Sequence, residues 1–433
     1  MNITRLYRPL SWCLLLAGVA VVVAGCQWWP FEPQAVSNDT TDPDTAGQVL
    51  SGTSDPPPVA EEVSEIEPND DFVSAQPVSF NETVRITGSI TPKSEPLDRD
   101  VFDLGPANAG DRVLADLQIA TGVDVVLGVF DARSRVLGYI DLTSASAGPR
   151  EADFVLREFT NHLYVVVATR SAADNERAYV ARLSVQRGLG VASEHPQVLV
   201  LNFLGADGVR VGNRAAVDVP PFDASNINSN FAGQTQELID LVVAKVRADF
   251  AGLNVGIYTA DDPALPPGAH STIYFGTYNA RLLGLADNVD PYNDDATQSA
   301  ILYTDTFAVF NALSPTLEQM AQALANTTSH EAGHLLGLRH TADPTDIMDT
   351  TATARQMMLE QSFDLANLNA SVIPIGLQDE PALLAWAVGG ALSPPANKSV
   401  IRQRAINAAN AADDFYIPRA WLMDCPCSRC AQP

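Results

Sequence analysis

The chain has 433 residues, enough for two ordinary domains with tails. It carries 26 basic against 52 acidic residues, a formal net charge of −26 at pH 7, which argues against nucleic acid and anionic lipid as partners of the folded body. Its five cysteines lie at the two ends, Cys13 and Cys26 near the start and Cys425, Cys427 and Cys430 near the finish, so the body between them rests on core burial rather than disulfides.

At the N-terminus Arg5 and Arg8 precede an almost continuous apolar stretch over residues 10–23. This is the pattern of an export signal, and it is short for a membrane-spanning helix. It ends in Val23-Ala24-Gly25-Cys26, which resembles a bacterial lipobox. The resemblance implies removal of residues 1–25, a lipid anchor on Cys26 that ties the chain to a membrane, and export as a lipoprotein. Gln27 stands where Asp would signal inner-membrane retention, which points to the outer membrane or cell surface. Residues 26–62 are rich in Pro, Asp, Ser, Thr and Gly, with the run Pro56-Pro57-Pro58, and read as a disordered linker.

Residues 63–188 change texture. Short β-branched and aromatic runs at 84–90, 101–104, 112–119, 125–130, 154–159, 163–168 and 179–185 are separated by turn formers such as Ala109-Gly110-Asp111. With no convincing helix among them, they predict an antiparallel β-sandwich. Glu65-Ile66-Glu67-Pro68-Asn69-Asp70-Asp71, Thr87-Gly88-Ser89-Ile90 and Asp98-Arg99-Asp100-Val101-Phe102 resemble the bacterial pre-peptidase C-terminal domain. That family is a jelly-roll-like accessory module of secreted peptidases, and some members bind calcium through the acidic opening segment. The resemblance implies Ca²⁺ held by Glu65, Glu67, Asn69, Asp71 and Asp100, all hard oxygen donors. Read as residues alone, the same stretch serves equally as a solvated acidic linker with Asx turns.

After a linker at 188–196, residues 196–393 have α/β texture. A buried-type strand at 198–203 precedes a helix over 234–250, where Leu238, Ile239, Leu241, Val242, Val246 and Phe250 fall near helical spacing. Strands follow at 254–258, 272–275 and 299–307. Ser314-Pro315 then opens a second helix with an N-cap and an N1 proline, and Leu317, Met320, Ala321 and Leu324 lead along it towards residue 330.

Residues 330–340 read H-E-A-G-H-L-L-G-L-R-H, and they hold three of the six histidines in the chain. On a helix His330 and His334 lie one turn apart on one face, so both imidazoles reach one metal. Glu331 projects beside them without being a ligand. Gly337 lets the chain leave the helix with positive φ, and the turn returns His340 to the same ion. Three neutral imidazoles with an open fourth position describe a catalytic zinc site rather than a structural one. Together with Met348 in Asp346-Ile347-Met348-Asp349, the motif resembles the metzincin zinc peptidases, whose signature adds a downstream Met-turn.

That resemblance implies a twisted mixed sheet with a backing helix and an active-site helix, and Met348 beneath the zinc ligands. It also makes Gly284, Leu285 and Ala286 the edge strand that pairs with extended substrate. The activity it implies is a zinc-dependent endopeptidase cutting extracellular protein or peptide through a zinc-bound water, with Glu331 as general base. Two departures stand out: Thr350 where some metzincins carry Tyr, and Thr341, which matches no family label. Residues 381–388 resemble the closing helix of the lower subdomain. Residues 394–433 read as a peripheral C-terminal tail, whose three cysteines cannot pair completely within one chain.

The expectation is thus a multidomain protein, a β-sandwich accessory domain followed by an α/β metzincin catalytic domain, acting as a monomer. Two other classes stay open: a surface-anchored binding lipoprotein with an inactive zinc domain, and a zinc hydrolase of non-peptide amides. The intact Glu331 counts against the first and the edge strand against the second. His162, His195 and His270 read as surface or structural histidines. The acidic loop 287–295 fits either a second calcium or a polar hairpin tip.

Overall fold

The computed structural model describes residues 61–90, 98–119, 124–141, 151–170, 176–393 and 398–410. The expected signal segment, Cys26, the linker as far as residue 60, and Cys425, Cys427 and Cys430 lie outside the described residues. Among the described residues no helix is long and apolar enough to cross a membrane. Mixed and antiparallel sheets dominate, with few helices.

Among the described residues, ten strands form the first region: β1 (Glu61–Ser64), β2 (Gln76–Pro77), β3 (Thr83–Ile90), β4 (Arg99–Asp103), β5 (Arg112–Ile119), β6 (Val125–Phe130), β7 (Val136–Asp141), β8 (Glu151–Val155), β9 (Tyr164–Thr169) and β10 (Arg177–Gln186). They make two five-stranded sheets, ordered β1-β3-β10-β5-β8 and β2-β4-β9-β6-β7. Pairing is antiparallel except at the first strand of each sheet, where β1 joins β3 and β2 joins β4 in parallel. Strand β1 begins inside the stretch expected to be disordered, because Glu61–Ser64 can complete the edge of β3. The run expected at 154–159 forms its strand earlier, and β7 was not anticipated.

The burial patterns explain the strand compositions. Strand β10 alternates buried and open positions, as a strand with one face in water must. Strands β6 and β9 are buried at every residue. Their sheet is covered twice: the inner face by the other sheet, and the outer face by Leu368, Val372 and Ile373 from far along the chain, which pack with Val126, Phe130, Tyr164 and Val166. Near-continuous apolar runs such as Tyr164-Val165-Val166-Val167 follow from that double burial. Each fully buried Val or Ile adds about 1.5–3 kcal/mol of gross stabilisation.

The second region begins with β11 (Gln197–Asn202), the hairpin β12 (Ala206–Val209) and β13 (Val217–Val219), and the short helix α1 (Ala224–Ile227). Helix α2 (Thr235–Asp249) leads into β14 (Val255–Thr259), β15 (Ser271–Phe275), β16 (Gly284–Ala286) and β17 (Ser299–Leu302). The sheet runs β14-β11-β15-β17-β16, parallel until β16, which pairs antiparallel with β17 at the edge. After β17 the chain turns into a 3₁₀ segment, Thr304–Leu313, where a longer strand was expected.

Helix α3 (Leu317–Leu335) does not start at Ser314-Pro315. Ser314 is left-handed, with φ 49°, and the cap is Thr316, whose hydroxyl accepts from the Gln319 backbone while the Gln319 side chain returns to the Thr316 N–H. That reciprocal pair satisfies two orphan donors where a proline could satisfy none. From Met320 onward α3 is buried on all sides. Several of its polar residues are paired within the protein: Thr327 and Thr328 donate to the carbonyls of Ala323 and Leu324 at 2.9 and 2.7 Å, and Asn326 donates to the carbonyls of Met357 and Leu359.

Helix α4 (Ala354–Met357), the hairpin β18 (Leu365–Asn367) and β19 (Leu377–Asp379), and helix α5 (Glu380–Val388) follow. Helix α5 matches the helix expected at 381–388, with Asp379 capping and a proline in its first turn. The tail is not wholly peripheral: α6 (Lys398–Asn410) buries Ile401 and Ala405, and the Ala405 carbonyl accepts from Gln356.

Candidate metal centre

The last turns of α3 carry His330 and His334 into the core, both fully buried. The helix ends as Gly337 adopts φ 95°. A side chain there is excluded twice, by conformation and by space, since a Cβ would stand 2.8 Å from Pro291 Cα and 2.9 Å from the Asp290 carbonyl. The chain reverses and brings His340 back, so that one ring nitrogen from each of the three histidines lies within 4.8 Å of the others.

For two of the rings the second nitrogen fixes the protonation. His330 Nδ1 lies 2.8 Å from the Ile347 carbonyl and His334 Nδ1 2.9 Å from the Leu338 carbonyl. A carbonyl accepts only, so Nδ1 carries the proton and Nε2 presents its lone pair inwards. His334 Nε2 and His340 Nε2 are 3.1 Å apart, and His330 Nε2 is buried without a hydrogen-bond partner. Burial, with mutual repulsion, drives protonation of His330 and His340 well below the ordinary range, and burial takes His334 down to about 4. At neutral pH these are three uncharged, converging donors, an arrangement that is costly unless a cation fills it. The residues fit a transition metal of the zinc type.

The carboxylate of Glu331, the residue after His330 on α3, is buried against the edge strand. A Cβ added at Gly284 in β16 would collide with Glu331 Oε1. Leu285 and Ala286 complete that strand, and among the described residues no further strand pairs with its outer edge. Met348 lies under α3, where a Cβ on Gly333 would come 2.5 Å from its sulfur.

Several residues with no obvious motif hold this frame. Thr341 bonds the Met348 carbonyl through its N–H at 2.9 Å and Asp346 through its hydroxyl at 2.8 Å. Asp346 also accepts from the Met348 N–H at 2.8 Å. Burial pushes Asp346 up to about 7 and Asp349 up to about 6, and burial beside Asp346 raises Glu380 well above the ordinary carboxylate range. Thr350 accepts from the Asn369 side chain at 2.9 Å. The only local hint of this network is the acidic character of Asp346 and Asp349 around Met348; Glu380 and Asn369 are distant in sequence.

In the β-sandwich, Glu65, Glu67 and Asp100 place carboxylate oxygens within 4.8 Å of one another. Asn69 and Asp100 are fully buried, and the side-chain O and N of Asn69 and both Asp100 oxygens have no hydrogen-bond partner of proper geometry. A Cβ at Gly88 would collide with the Glu65 carboxylate and the Tyr179 hydroxyl that flank this cradle. Asp71 does not join them. It is exposed, and its Oδ1 accepts from the Val73 and Ser74 N–H groups at 2.8 Å, closing an Asx turn.

In the acidic loop, the Asp287 carboxylate accepts from Gly212 and Ser299, tying the loop to its neighbours, and Asp290 accepts from Asp295 within the loop. His162 pairs with Asp103, His195 contacts the Asn293 carbonyl and His270 the Gly268 carbonyl.

No protein-family model matches the chain, and no curated protein matches it. Among solved structures it is similar to archaemetzincin from Methanopyrus kandleri, at 13% identity over 39% of this chain and 89% of that one, with a TM-score of 0.23. The pre-peptidase C-terminal domain of a Bacillus anthracis collagenase matches at 13% identity over 30% of this chain and 99% of its own, TM-score 0.18. PliG from Aeromonas hydrophila, a periplasmic inhibitor of g-type lysozyme, matches at 15% identity over 30% of this chain and 100% of its own, TM-score 0.20. Scores this low leave function to be argued from the residues themselves.

Proposed function

We propose that this chain is a zinc-dependent endopeptidase of metzincin type that hydrolyses extracellular protein or peptide. The observation that carries the reading is the convergence of three buried, uncharged imidazoles, together with a buried glutamate, Glu331, that follows His330 on the same helix and packs its carboxylate on the backbone of an edge strand. His330, His334 and His340 would hold the metal. A bound zinc ion supplies Lewis acidity, polarising an amide carbonyl and bringing the pKa of water towards about 7. Glu331 accepts a proton from the attacking water and delivers it to the leaving amine. Strand β16 offers main-chain donors and acceptors to an extended peptide, and Gly284 keeps that edge clear where Glu331 must act. A binding lipoprotein would have no use for a buried carboxylate in this position.

The test is zinc content and casein or gelatin hydrolysis by the purified full chain, wild type beside Glu331→Gln. Zinc in both proteins with chelator-sensitive hydrolysis only in wild type supports the reading. Wild-type turnover by Glu331→Gln overturns the role of that residue. Zinc in both proteins without turnover on any peptide favours the alternatives: a binding protein, or a hydrolase of non-peptide amides.

A second metal reading has its own observation. The orphaned, fully buried oxygens of Asn69 and Asp100, together with Glu65 and Glu67, are donors suited to calcium. Export as a lipoprotein anchored through Cys26 at the outer membrane or cell surface rests on residues 1–26. Loss of fatty-acid labelling in Cys26→Ser is its test.

A further inference from the structure

Two of the three candidate ligands ride on α3, which fixes them. His340 sits in the loop beyond the helix, so its position depends on what holds its neighbours. Thr341, on one side, is tied to the Met348 turn. Arg339, on the other, is clamped by Gln378, whose side-chain oxygen accepts from the Arg339 N–H at 2.8 Å while its amide donates to the Arg339 carbonyl at 2.6 Å. The His340 carbonyl accepts from the Asn369 N–H at 3.0 Å. Asn369 and Gln378 both belong to residues 365–379.

The opposite side of that segment is held by the β-sandwich. The Leu377 N–H donates to the Ser134 carbonyl at 2.8 Å. Arg135 Nη1 reaches Asp379 at 2.8 Å, Arg170 Nη1 the Ser371 carbonyl at 3.0 Å, and Tyr139 Oη the Val372 carbonyl at 2.7 Å. Tyr139, in β7, does more. The guanidinium of Arg339 lies over its ring, 4.1 Å from the centroid, which is cation–π geometry. Its hydroxyl also accepts from Arg170, a fully buried cation fixed between Asp124 and Asp141. A rigid sandwich residue therefore touches the residue next to His340 directly.

We propose that the β-sandwich sets the geometry of the metal centre, with Tyr139 as a positioning residue that acts on His340 through Arg339. The inference rests on the metal-centre reading above. It gives the sandwich a role inside the catalytic unit, rather than that of a detachable module.

The test is Co²⁺ binding to the metal-stripped full chain, read as affinity by chelator competition and as the visible spectrum of the bound ion. Tyr139→Leu should weaken binding by about tenfold, as loss of a residue supporting a ligand does, and should alter the spectrum. Tyr139→Phe, which keeps the ring, should retain both. Arg339→Leu should weaken binding likewise, and the double variant should be no worse than the weaker single one, because the two residues act through one contact. Arg112→Ala, on the other sheet in an exposed ion pair with Asp153, should leave affinity and spectrum unchanged.

Wild-type affinity and spectrum in folded Tyr139→Leu would overturn the proposal, as would additive losses in the double variant. If Tyr139→Leu does not fold, Arg339→Leu carries the test, and wild-type binding by that variant overturns the proposal. A wild-type chain that binds no Co²⁺ overturns the metal-centre reading, and the inference with it.

Discussion

The carboxylate of Glu331 occupies the space that a side chain on Gly284 would fill. This contact joins the zinc-type helix to the edge strand and fixes the candidate base beside the place where a peptide backbone can add. It predicts that Gly284→Ala displaces Glu331 while leaving the three histidines untouched. Misplacement of a reacting group by about an ångström costs roughly a hundredfold in rate. Hydrolysis should fall by about that factor with zinc content unchanged. An alanine variant with wild-type turnover would show that the carboxylate does not work from this position.

The calcium reading carries a pH dependence. Burial, with the Glu65 carboxylate beside it, pushes Asp100 up to about 10 from an ordinary 3.8. Between those values the folded, metal-free chain keeps a proton that the unfolded chain has released, so metal-free stability declines as pH rises through the window. Calcium needs the ionised form and displaces that proton, so its affinity rises with pH. Thermal melts with calcium and with chelator should therefore diverge more at about pH 9 than at about pH 6. A gap that stays constant, or closes, contradicts a calcium site at Asp100.

The seam between the sandwich and residues 365–379 is built as core. Ile373 is fully buried among Val126, Phe130 and Val166, so Ile373→Ala should cost about 2–5 kcal/mol. The described residues of the sandwich and of the region after it fall in one compact unit, and that loss should appear as a shift of a single unfolding transition. Two transitions, with only one moved, would mean that the sandwich unfolds on its own.

How much of this was legible in the sequence follows the range of each interaction. His330, Glu331, His334 and Gly337 stand out because helical spacing and one left-handed turn are local properties. His340 and Met348 are close enough for a motif to hold them. Strands β3, β5 and β10 are legible from alternation, and β6 and β9 from continuous apolar runs. Strand β7 was missed, because its half-buried residues gain their partners from residues 372–379. Thr341 gave no signal either, since its hydroxyl acts on Asp346, which belongs to the next turn. Asp71 joins the cluster only through the family resemblance; a serine three residues on claims its carboxylate and closes the Asx turn that the residues alone equally allow. Local pattern finds the candidate ligands, and only the fold finds what holds them.

The most direct measurement is calorimetric titration of the metal-stripped full chain with Zn²⁺ at neutral pH, wild type beside His334→Ala. One tight site is expected in the wild type and none in the variant, with circular dichroism showing both proteins folded. A folded wild-type chain with no tight zinc site, or a variant that binds zinc as the wild type does, would contradict the metal centre and the function proposed from it.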